Sequence, residues 1–367
     1  MRALTSFERM DNTLRRKPID CVACYDAPWG ETTARWRAEG HMGAEEDVCD
    51  ALDMDMRSGG WINSIANLDV EPEVLDETEE TILTRDGNGA MLRQHKQHAS
   101  TPEHVGFTVA DRRGWEEWIK PHLLELDRRR VPVEIYRAAK RDAAARQRYF
   151  VWWGIAPFEQ MHPMCGHENL LAGMAEDPDW VREMVMTYAR FTLMHLETLV
   201  AEAGAPDAFF FGEDMGFKGK PFMSPAMYRA IMQPGHALLF SYAHSLNRPV
   251  IVHSCGYVEP LVPGLIEAGM DCLQALEVKA GMDMRRLREQ HGDAIAYFGN
   301  MDVRALLTND RARIDAELEE KLPAMLGSGG RYILMSDHSI PPQVDFPTMQ
   351  YFFARGREIS RRVLGTA

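Results

Sequence analysis

The second half of the chain alternates short apolar strands with helices, and no other feature of the sequence constrains the fold as strongly. Each predicted strand is continuously apolar, which is typical of a strand buried on both faces. Each connection contains a helix, and parallel strands need such crossovers because a tight turn joins only antiparallel strands. The pattern therefore predicts a parallel sheet covered by helices. The strands predicted in this half are Ala208–Gly212, Val250–Val252, Cys272–Ala275, Ile295–Phe298 and Tyr332–Met335.

The number of strand–helix units and the length of 367 residues favour a closed α/β barrel, the (β/α)8 or TIM barrel, over an open doubly wound sheet. Two earlier strands are predicted at Cys21–Tyr25 and Tyr149–Ile155. No Gly-x-Gly-x-x-Gly segment follows the first of them, so a dinucleotide-binding fold is not expected. We predict a single domain over residues 1–367.

A segment at about residues 76–148 interrupts the alternation in the N-terminal half. Asp86-Gly87 lies between two runs with β propensity, Glu79–Thr84 and Ala90–His95, and predicts a β-hairpin. The charged, arginine-rich stretch Asp111–Arg148 predicts surface helices. We interpret the whole segment as an insertion into the barrel.

Composition excludes several classes of partner. The formal net charge of −14 argues against binding to nucleic acid and to anionic membranes. No apolar run approaches the length of a membrane span, and the first residues contain no apolar stretch typical of a signal peptide. Six scattered cysteines do not form a disulfide pattern, so we expect a cytoplasmic protein with reduced thiols.

Two residues that commonly bind metals lie at the end of the predicted strand Val250–Val252. His253 and Cys255 are two positions apart, so their side chains project to the same side of an extended backbone. A neutral imidazole and a thiolate can together bind one metal ion, and zinc is the usual metal for such a set. The structural alternative is a hydrogen-bonded core histidine beside a small buried cysteine.

The other predicted strands of this half also end in polar or ionisable residues. In an α/β barrel the carboxyl ends of the strands meet at one rim, where catalytic groups project. These side chains are therefore expected to lie close together. They are Glu213, Asp214, His253, Cys255, Glu277, Asn300, Asp302, Asp337 and His338.

A zinc site can be assembled at this rim from His253, Cys255, His338 and one carboxylate, Glu213 or Asp214. Without metal, His338 is a candidate general acid, and Asp214 or Asp337 can hold a protonated substrate nitrogen. The candidate catalytic residues are therefore Glu213, Asp214 and His338. The residues expected to contact substrate are Trp29, Glu31, Trp153, Asn300 and Asp337.

A second histidine–cysteine cluster, His162, Cys165 and His167, lies in a predicted short helix and turn. It is a weaker metal candidate than the strand-end pair, and a structural role is the alternative.

Five segments resemble the uroporphyrinogen decarboxylase superfamily, which also contains zinc- and cobalamin-dependent methyltransferases. They are Phe210–Gly216, Ser224–Tyr228, Val252–Leu261, Gly299–Asp302 and Tyr332–His338. The resemblance implies a (β/α)8 barrel with its site at the carboxyl ends of the strands.

The resemblance is closer to the methyltransferase branch than to the true decarboxylases. The decarboxylases carry an Arg-Gln-Ala-Gly-Arg segment near the N-terminus, whereas the comparable stretch here, Pro28–Trp36, contains Trp29, Glu31 and only Arg35. The corrinoid methyltransferases carry His-x-Cys and later a second cysteine. This chain has His253-x-Cys255, and His338 occupies the place of the second cysteine. The decarboxylases also have a histidine at about this place, so His338 alone supports either branch.

Three functions follow from the resemblance and the strand-end residues. The first is a zinc-dependent methyltransferase that passes a methyl group between a small substrate and a corrinoid (cobalamin). No Asp-x-His-x-x-Gly segment is present, so the corrinoid is expected on a partner protein. The second is a cofactor-free decarboxylase, and the third a non-catalytic barrel that binds a tetrapyrrole or corrinoid. A homodimer is compatible with each.

Overall fold

The computed structural model describes residues 2–97, 102–327 and 329–366. Eight parallel strands form one sheet in the order β1-β8-β7-β6-β5-β4-β3-β2, with helices in the connections. This arrangement confirms the predicted (β/α)8 barrel, whereas the single-domain interpretation stays a prediction. The strands are β1 Ala23–Cys24, β2 Met56–Gly59, β3 Tyr149–Ile155, β4 Ala208–Gly212, β5 Val250–Ser254, β6 Cys272–Ala275, β7 Ala296–Gly299 and β8 Tyr332–Leu334.

A single aspartate joins the two ends of this sheet. The backbone N–H of Asp55 donates to the carbonyl of Cys24 (2.8 Å), and the Asp55 carboxylate accepts from the Cys24 N–H (2.7 Å). The same buried carboxylate pairs with Arg9 at 2.8 Å and with Arg357 at 3.1 Å. This side chain therefore replaces part of the hydrogen-bond ladder between β1 and β2. It also fixes the first and last helices to this junction, which we call the seam of the barrel.

The main helices begin and end where local sequence signals place them. Thr5 and Glu8 form the reciprocal cap of the first helix, and Gly204, at a φ of 76°, ends the longest one. Four α-helices follow β3, β6, β7 and β8, and they are Pro178–Ala203, Met284–His291, Arg311–Leu326 and Phe346–Leu364. The other α-helices are Ser6–Leu14, Gly30–Ala38, Val48–Ala51, Arg112–Gly114, Val133–Ala145, Pro157–Glu176, Pro225–Met227, Gln233–Ser245, Val262–Ala268 and Val303–Leu307.

The segment between β2 and β3 contains more strand than predicted. The hairpin of Thr81–Arg85 and Ala90–His95 is confirmed, but Glu73–Glu77 and Glu103–Phe107 pair on its two sides to make a four-stranded antiparallel sheet. The sequence prediction missed Glu73–Glu77, which is acidic and exposed along its length. It also missed β2, whose Met-Arg-Ser-Gly sequence contains no apolar run.

Alternate residues of each barrel strand point into the barrel, and this alternation positions the site. In β4, Phe210 packs in the barrel interior, whereas Phe209 and Phe211 pack in the outer layer against the helices. In β5, Ile251 is interior, and its neighbours Val250 and Val252 are outer. Side chains alternate between the two faces of a strand, so every second residue forms an interior row. Residue 214 continues the interior row of β4, and residues 253 and 255 continue that of β5.

Among the described residues, no helix has both the length and the apolar character needed to cross a membrane.

Candidate active site

The interior rows end in a cavity of about 260 Å³ at the carboxyl ends of the strands. Its floor is apolar and aromatic, and its polar groups come from β2, β5, β6 and the segments that follow β1, β5 and β8. Most of the lining residues are an even number of positions from an interior residue of their own strand, and Ala275 and His338 are exceptions. Those at even positions include Tyr25, Met56, Ser58, Trp153, Phe210, His253, Cys255, Gln274, Met335 and Asp337.

Three ligand atoms converge at this cavity, from Asp214, His253 and Cys255. His253 Nε2 lies 3.2 Å from Asp214 Oδ1 and 3.3 Å from Cys255 Sγ. The backbone N–H of Cys255 also donates to Asp214 Oδ1 at 2.8 Å, which holds the carboxylate beside the thiol. The predicted projection of His253 and Cys255 to one side is confirmed.

The second nitrogen of His253 is hydrogen-bonded to Gln274, which lies opposite His253 in the β5–β6 register. The amide oxygen of Gln274 can only accept, so Nδ1 carries the proton. In the neutral ring, Nε2 is then left with its lone pair facing Asp214 and Cys255. A hydrogen bond of this kind orients a histidine for metal binding.

Electrostatics couple the same groups. Burial raises the pKa of Asp214, but the hydrogen bond and the charge of His253 outweigh it and bring the pKa down to about 2. Burial lowers the pKa of His253, but its contacts with Asp214 and Cys255 raise it well above its usual value. In the absence of metal, the imidazole is therefore a cation paired with the carboxylate.

The donor set fits zinc. A tetrahedral zinc ion with Zn–N and Zn–O distances of about 2.0–2.1 Å and Zn–S of about 2.3 Å separates its ligand atoms by about 3.3–3.6 Å. The separations of 3.2 and 3.3 Å around His253 Nε2 are close to these values. Nitrogen, oxygen and sulfur in one set is typical of zinc.

Glu213 does not belong to this set, so of the two predicted carboxylates the structure brings Asp214 to His253 and Cys255, and the catalytic role of Glu213 stays a prediction. Glu213 continues the outer row of β4, and its buried carboxylate accepts the N–H groups of Phe158 and Glu159, each at 3.0 Å. These are the first N–H groups of helix Pro157–Glu176. The same carboxylate bonds His236 Nε2 at 2.5 Å. Glu213 therefore caps a helix on the outer side of the barrel.

The remaining predicted residues divide into two groups. His338, Asp337 and Trp153 line the cavity, although His338 is not among the three converging ligands. The Asp337 carboxylate accepts the N–H groups of Val278 and Val303, each at 2.8 Å, and so also fixes the two neighbouring loops.

Trp29, Glu31 and Asn300 lie outside the cavity lining. Trp29 and Glu31 are exposed at the start of helix Gly30–Ala38. Asn300 has a positive φ of 66°, which interrupts the alternation of β7. Its amide donates to the carbonyls of Leu276 and Met282, so its predicted substrate contact is replaced by a structural role.

Two buried polar residues near the cavity escaped the sequence prediction. Gln274 had a detectable signal, because it is the only polar residue in the apolar strand Cys272–Ala275. Asp26, two residues after β1, accepts from the N–H and hydroxyl of Ser336 at 3.0 and 2.9 Å. Burial raises the pKa of Asp26 to about 7.

The second histidine–cysteine cluster does not converge. His162 bonds Glu159 at 2.9 Å and stacks on His167 with ring centroids 4.3 Å apart. The Cys165 thiol instead donates to the carbonyl of Met161 at 3.4 Å. Within the described part of the chain, only Asp214, His253 and Cys255 bring three ligand atoms together.

These features define a (β/α)8 barrel with a candidate metal site at its catalytic end. The family model of uroporphyrinogen decarboxylase (URO-D) matches residues 128–359. The chain belongs to that family, which confirms the resemblance found in the sequence.

Comparison with solved structures extends this result to the fold of the whole chain. A methyltransferase from Methanosarcina mazei superposes with a TM-score of 0.68 at 16% identity, over 97% of this chain and 99% of that one. A Xaa-Pro dipeptidase with bound methionine aligns over 63% of this chain and 62% of its own at 12% identity, but its TM-score of 0.32 supports no shared fold. Comparison with curated protein sequences finds no significant match.

Proposed function

We propose that this protein is a zinc-dependent methyltransferase that passes a methyl group between a small substrate and a corrinoid carried by a partner protein. The observation that carries the proposal is the convergence of Asp214 Oδ1, His253 Nε2 and Cys255 Sγ at the barrel mouth. The fold shared with a methyltransferase from Methanosarcina mazei is consistent with it.

Asp214, His253 and Cys255 would hold the zinc, with Gln274 orienting the imidazole. When bound, zinc lowers the pKa of a coordinated thiol, alcohol or water and so favours a nucleophile or leaving group at neutral pH. Three protein ligands are the usual number for a catalytic zinc, because one position stays available to the substrate.

The cavity favours a small substrate without negative charge. Its volume is about 260 Å³, and none of the residues that line it is a lysine or arginine. Tyr25, Trp153 and Phe210 supply aromatic surface, and Met56 and Met335 supply adaptable apolar contacts. A corrin ring is larger than this cavity, which favours its presentation at the mouth by a separate protein.

We propose that His338 acts on the substrate rather than on the metal. It lines the cavity from the loop after β8, while Asp214 follows β4, His253 lies near the end of β5 and Cys255 follows β5. We assign it the transfer of a proton to or from the methyl donor or acceptor, as a general acid or base.

The alternative decarboxylase function has less support. A polycarboxylate substrate needs cationic partners, and the cavity lining contains no arginine or lysine. The same lack of basic residues disfavours tight retention of a carboxylated tetrapyrrole by a non-catalytic barrel.

Elemental analysis and a methyl-transfer assay test the proposal together. Protein purified without added metal should contain about one zinc per chain. His253→Ala, Cys255→Ser and Asp214→Ala should each lose the zinc, whereas Cys49→Ser, at a half-buried cysteine outside the set, should keep it. Free methylcobalamin serves as the corrinoid probe, and its absorbance reports demethylation by candidate small acceptors.

The metal-free enzyme should be inactive and regain activity with zinc. Full methyl-transfer activity in a zinc-free preparation would refute the zinc assignment. Release of carbon dioxide from a carboxylated substrate by chelator-treated protein would instead establish the decarboxylase function.

A further inference from the structure

A second cavity, of about 410 Å³, lies at the opposite end of the barrel from the candidate active site. It is bounded by the end of the first helix and by the residues that precede β5, β6 and β8. Four of its nine lining residues are arginines: Arg15, Arg16, Arg248 and Arg331. This local excess of positive charge is notable in a chain of net charge −14.

Most arginines around the barrel are neutralised by carboxylates, but those of this cavity are mostly not. Arg15 pairs with Asp11 at 2.7 Å. Among the described residues, no carboxylate lies within 4.0 Å of the charged groups of Arg16, Arg248 or Arg331. The acidic residue in the wall, Asp271, is itself bound to His244 Nε2 and to a backbone N–H, each at 2.8 Å.

Arg331 has a structural explanation. It is 5% exposed and donates to the carbonyls of Thr13 and Leu14, at the end of helix Ser6–Leu14. Those carbonyls carry the partial negative charge of the helix terminus and satisfy a guanidinium there. Its charge nevertheless adds to the positive potential of the cavity.

Arg16 and Arg248 have no such set of backbone acceptors, although the charge of Arg248 favours the ionised form of the buried Asp207 carboxylate. Arg16 is exposed and makes one hydrogen bond, to the carbonyl of Ala294 at 3.0 Å. Arg248 is half-buried, and its Nε is enclosed without a hydrogen-bond partner. Because this Nε is closed off from the cavity, the donors that an anion would use there are the terminal N–H groups of the two guanidiniums.

A neighbouring cavity of about 400 Å³ shares Arg16 and Arg331 and adds Lys17 to its wall. Asp293 also lines this neighbouring cavity and Lys17 pairs with Asp11 at 3.2 Å, so the neighbouring cavity adds room for a group attached to the anion rather than further positive charge.

We propose that Arg16 and Arg248 bind an oxyanion of the phosphate class, either free phosphate or the phosphate of a small ester. Guanidinium groups match the geometry of phosphate oxygens and form charge-assisted hydrogen bonds with them. The site is at the amino ends of the barrel strands, away from the cavity of the proposed methyl transfer. Its ligand is therefore an effector or a stabilising ion rather than a substrate.

Calorimetric titration with inorganic phosphate tests this site directly, at an ionic strength held constant with sodium chloride. Phosphate should bind the full-length protein with a stoichiometry of about one and raise its melting temperature above that in chloride alone. Arg16→Gln and Arg248→Gln should each weaken binding by about tenfold or more. Arg141→Gln, at an exposed arginine of helix Val133–Ala145 outside both cavities, is the matched control.

Arg16→Gln alone keeps the test independent of folding, because Arg16 is exposed. Glycerol phosphate distinguishes the two sources: tighter binding than inorganic phosphate identifies an ester, and weaker binding identifies the free ion. The proposal would be overturned if phosphate and chloride gave equal melting temperatures, or if phosphate still bound after both arginine substitutions.

Discussion

The imidazole of His253 donates its Nδ1 proton to the amide oxygen of Gln274, directly across the β5–β6 pair. The amide nitrogen of Gln274 contacts the sulfur of Met335 at 3.1 Å, which fixes the orientation of the amide. The hydrogen bond to His253 explains why Gln274, a polar residue, lies inside the otherwise apolar strand β6. It also gives the proposed metal ligand a single orientation.

Replacement of Gln274 should weaken zinc binding without removing a ligand. Gln274→Ala should lower the zinc affinity by about 10- to 100-fold, because the imidazole loses its orienting acceptor. Gln274→Glu, which retains an acceptor oxygen, should stay closer to the wild type. Competition titration with a chromogenic chelator measures both affinities, and a thermal melt in excess chelator checks folding. Equal affinities for Gln274→Ala and wild type would contradict the orienting role.

Glu213 and Asp214 are adjacent acids, and their substitution should have opposite consequences. Glu213→Gln should keep the zinc but lower the free energy of unfolding by about 1–3 kcal/mol, because an amide cannot accept both helix N–H groups and pair with His236. Asp214→Ala should lose the zinc. Zinc content and urea denaturation of the two variants are compared side by side. Loss of zinc from Glu213→Gln with stability unchanged would restore the sequence-based ligand assignment.

The carboxylate at the barrel seam should contribute strongly to stability. Asp55→Asn removes the buried charge that Arg9 and Arg357 share, and should cost about 3 kcal/mol or more. Asp69→Asn is the control, because its ion pair with Arg129 is exposed and should be worth less than about 1 kcal/mol. Urea denaturation gives both values. Similar small losses for the two variants would show that the seam does not depend on the carboxylate.

Asp26 should make stability depend on pH. Its pKa of about 7 in the folded protein lies above the value of about 3.9 in an unfolded chain. As the pH rises from about 4 to about 7, the unfolded state releases this proton first, so the free energy of unfolding falls. The largest contribution of this group, about 4 kcal/mol, is present below pH 4 and lost above pH 7.

Asp26→Asn removes this contribution. Between pH 5 and pH 8, the free energy of unfolding of zinc-free wild type should fall by about 2–3 kcal/mol more than that of Asp26→Asn. Asp179→Asn, at an exposed aspartate, should behave like the wild type. Parallel profiles for wild type and Asp26→Asn would show that burial does not shift this carboxyl group as stated.

Much of the barrel is readable from local signals. Strands such as Tyr149–Ile155 and Cys272–Ala275 are continuous apolar runs, and the long helices carry caps and terminal glycines that fix their ends. β2 is different, because Met-Arg-Ser-Gly gains its stability from pairing with β3 rather than from its own composition. β2 is therefore recognised as a strand only when its pairing with β3 is known.

The alternation of strands and helices follows from the order of residues along the chain, and so does the position of His253 and Cys255 on one side of a strand end. The side that faces the cavity depends instead on how the barrel packs. Phe210 is interior and its neighbours are not, so Asp214 points to the mouth and Glu213 to the helix layer. The physical reason is that a strand presents successive side chains to opposite faces, and only packing against the rest of the barrel selects the inner one.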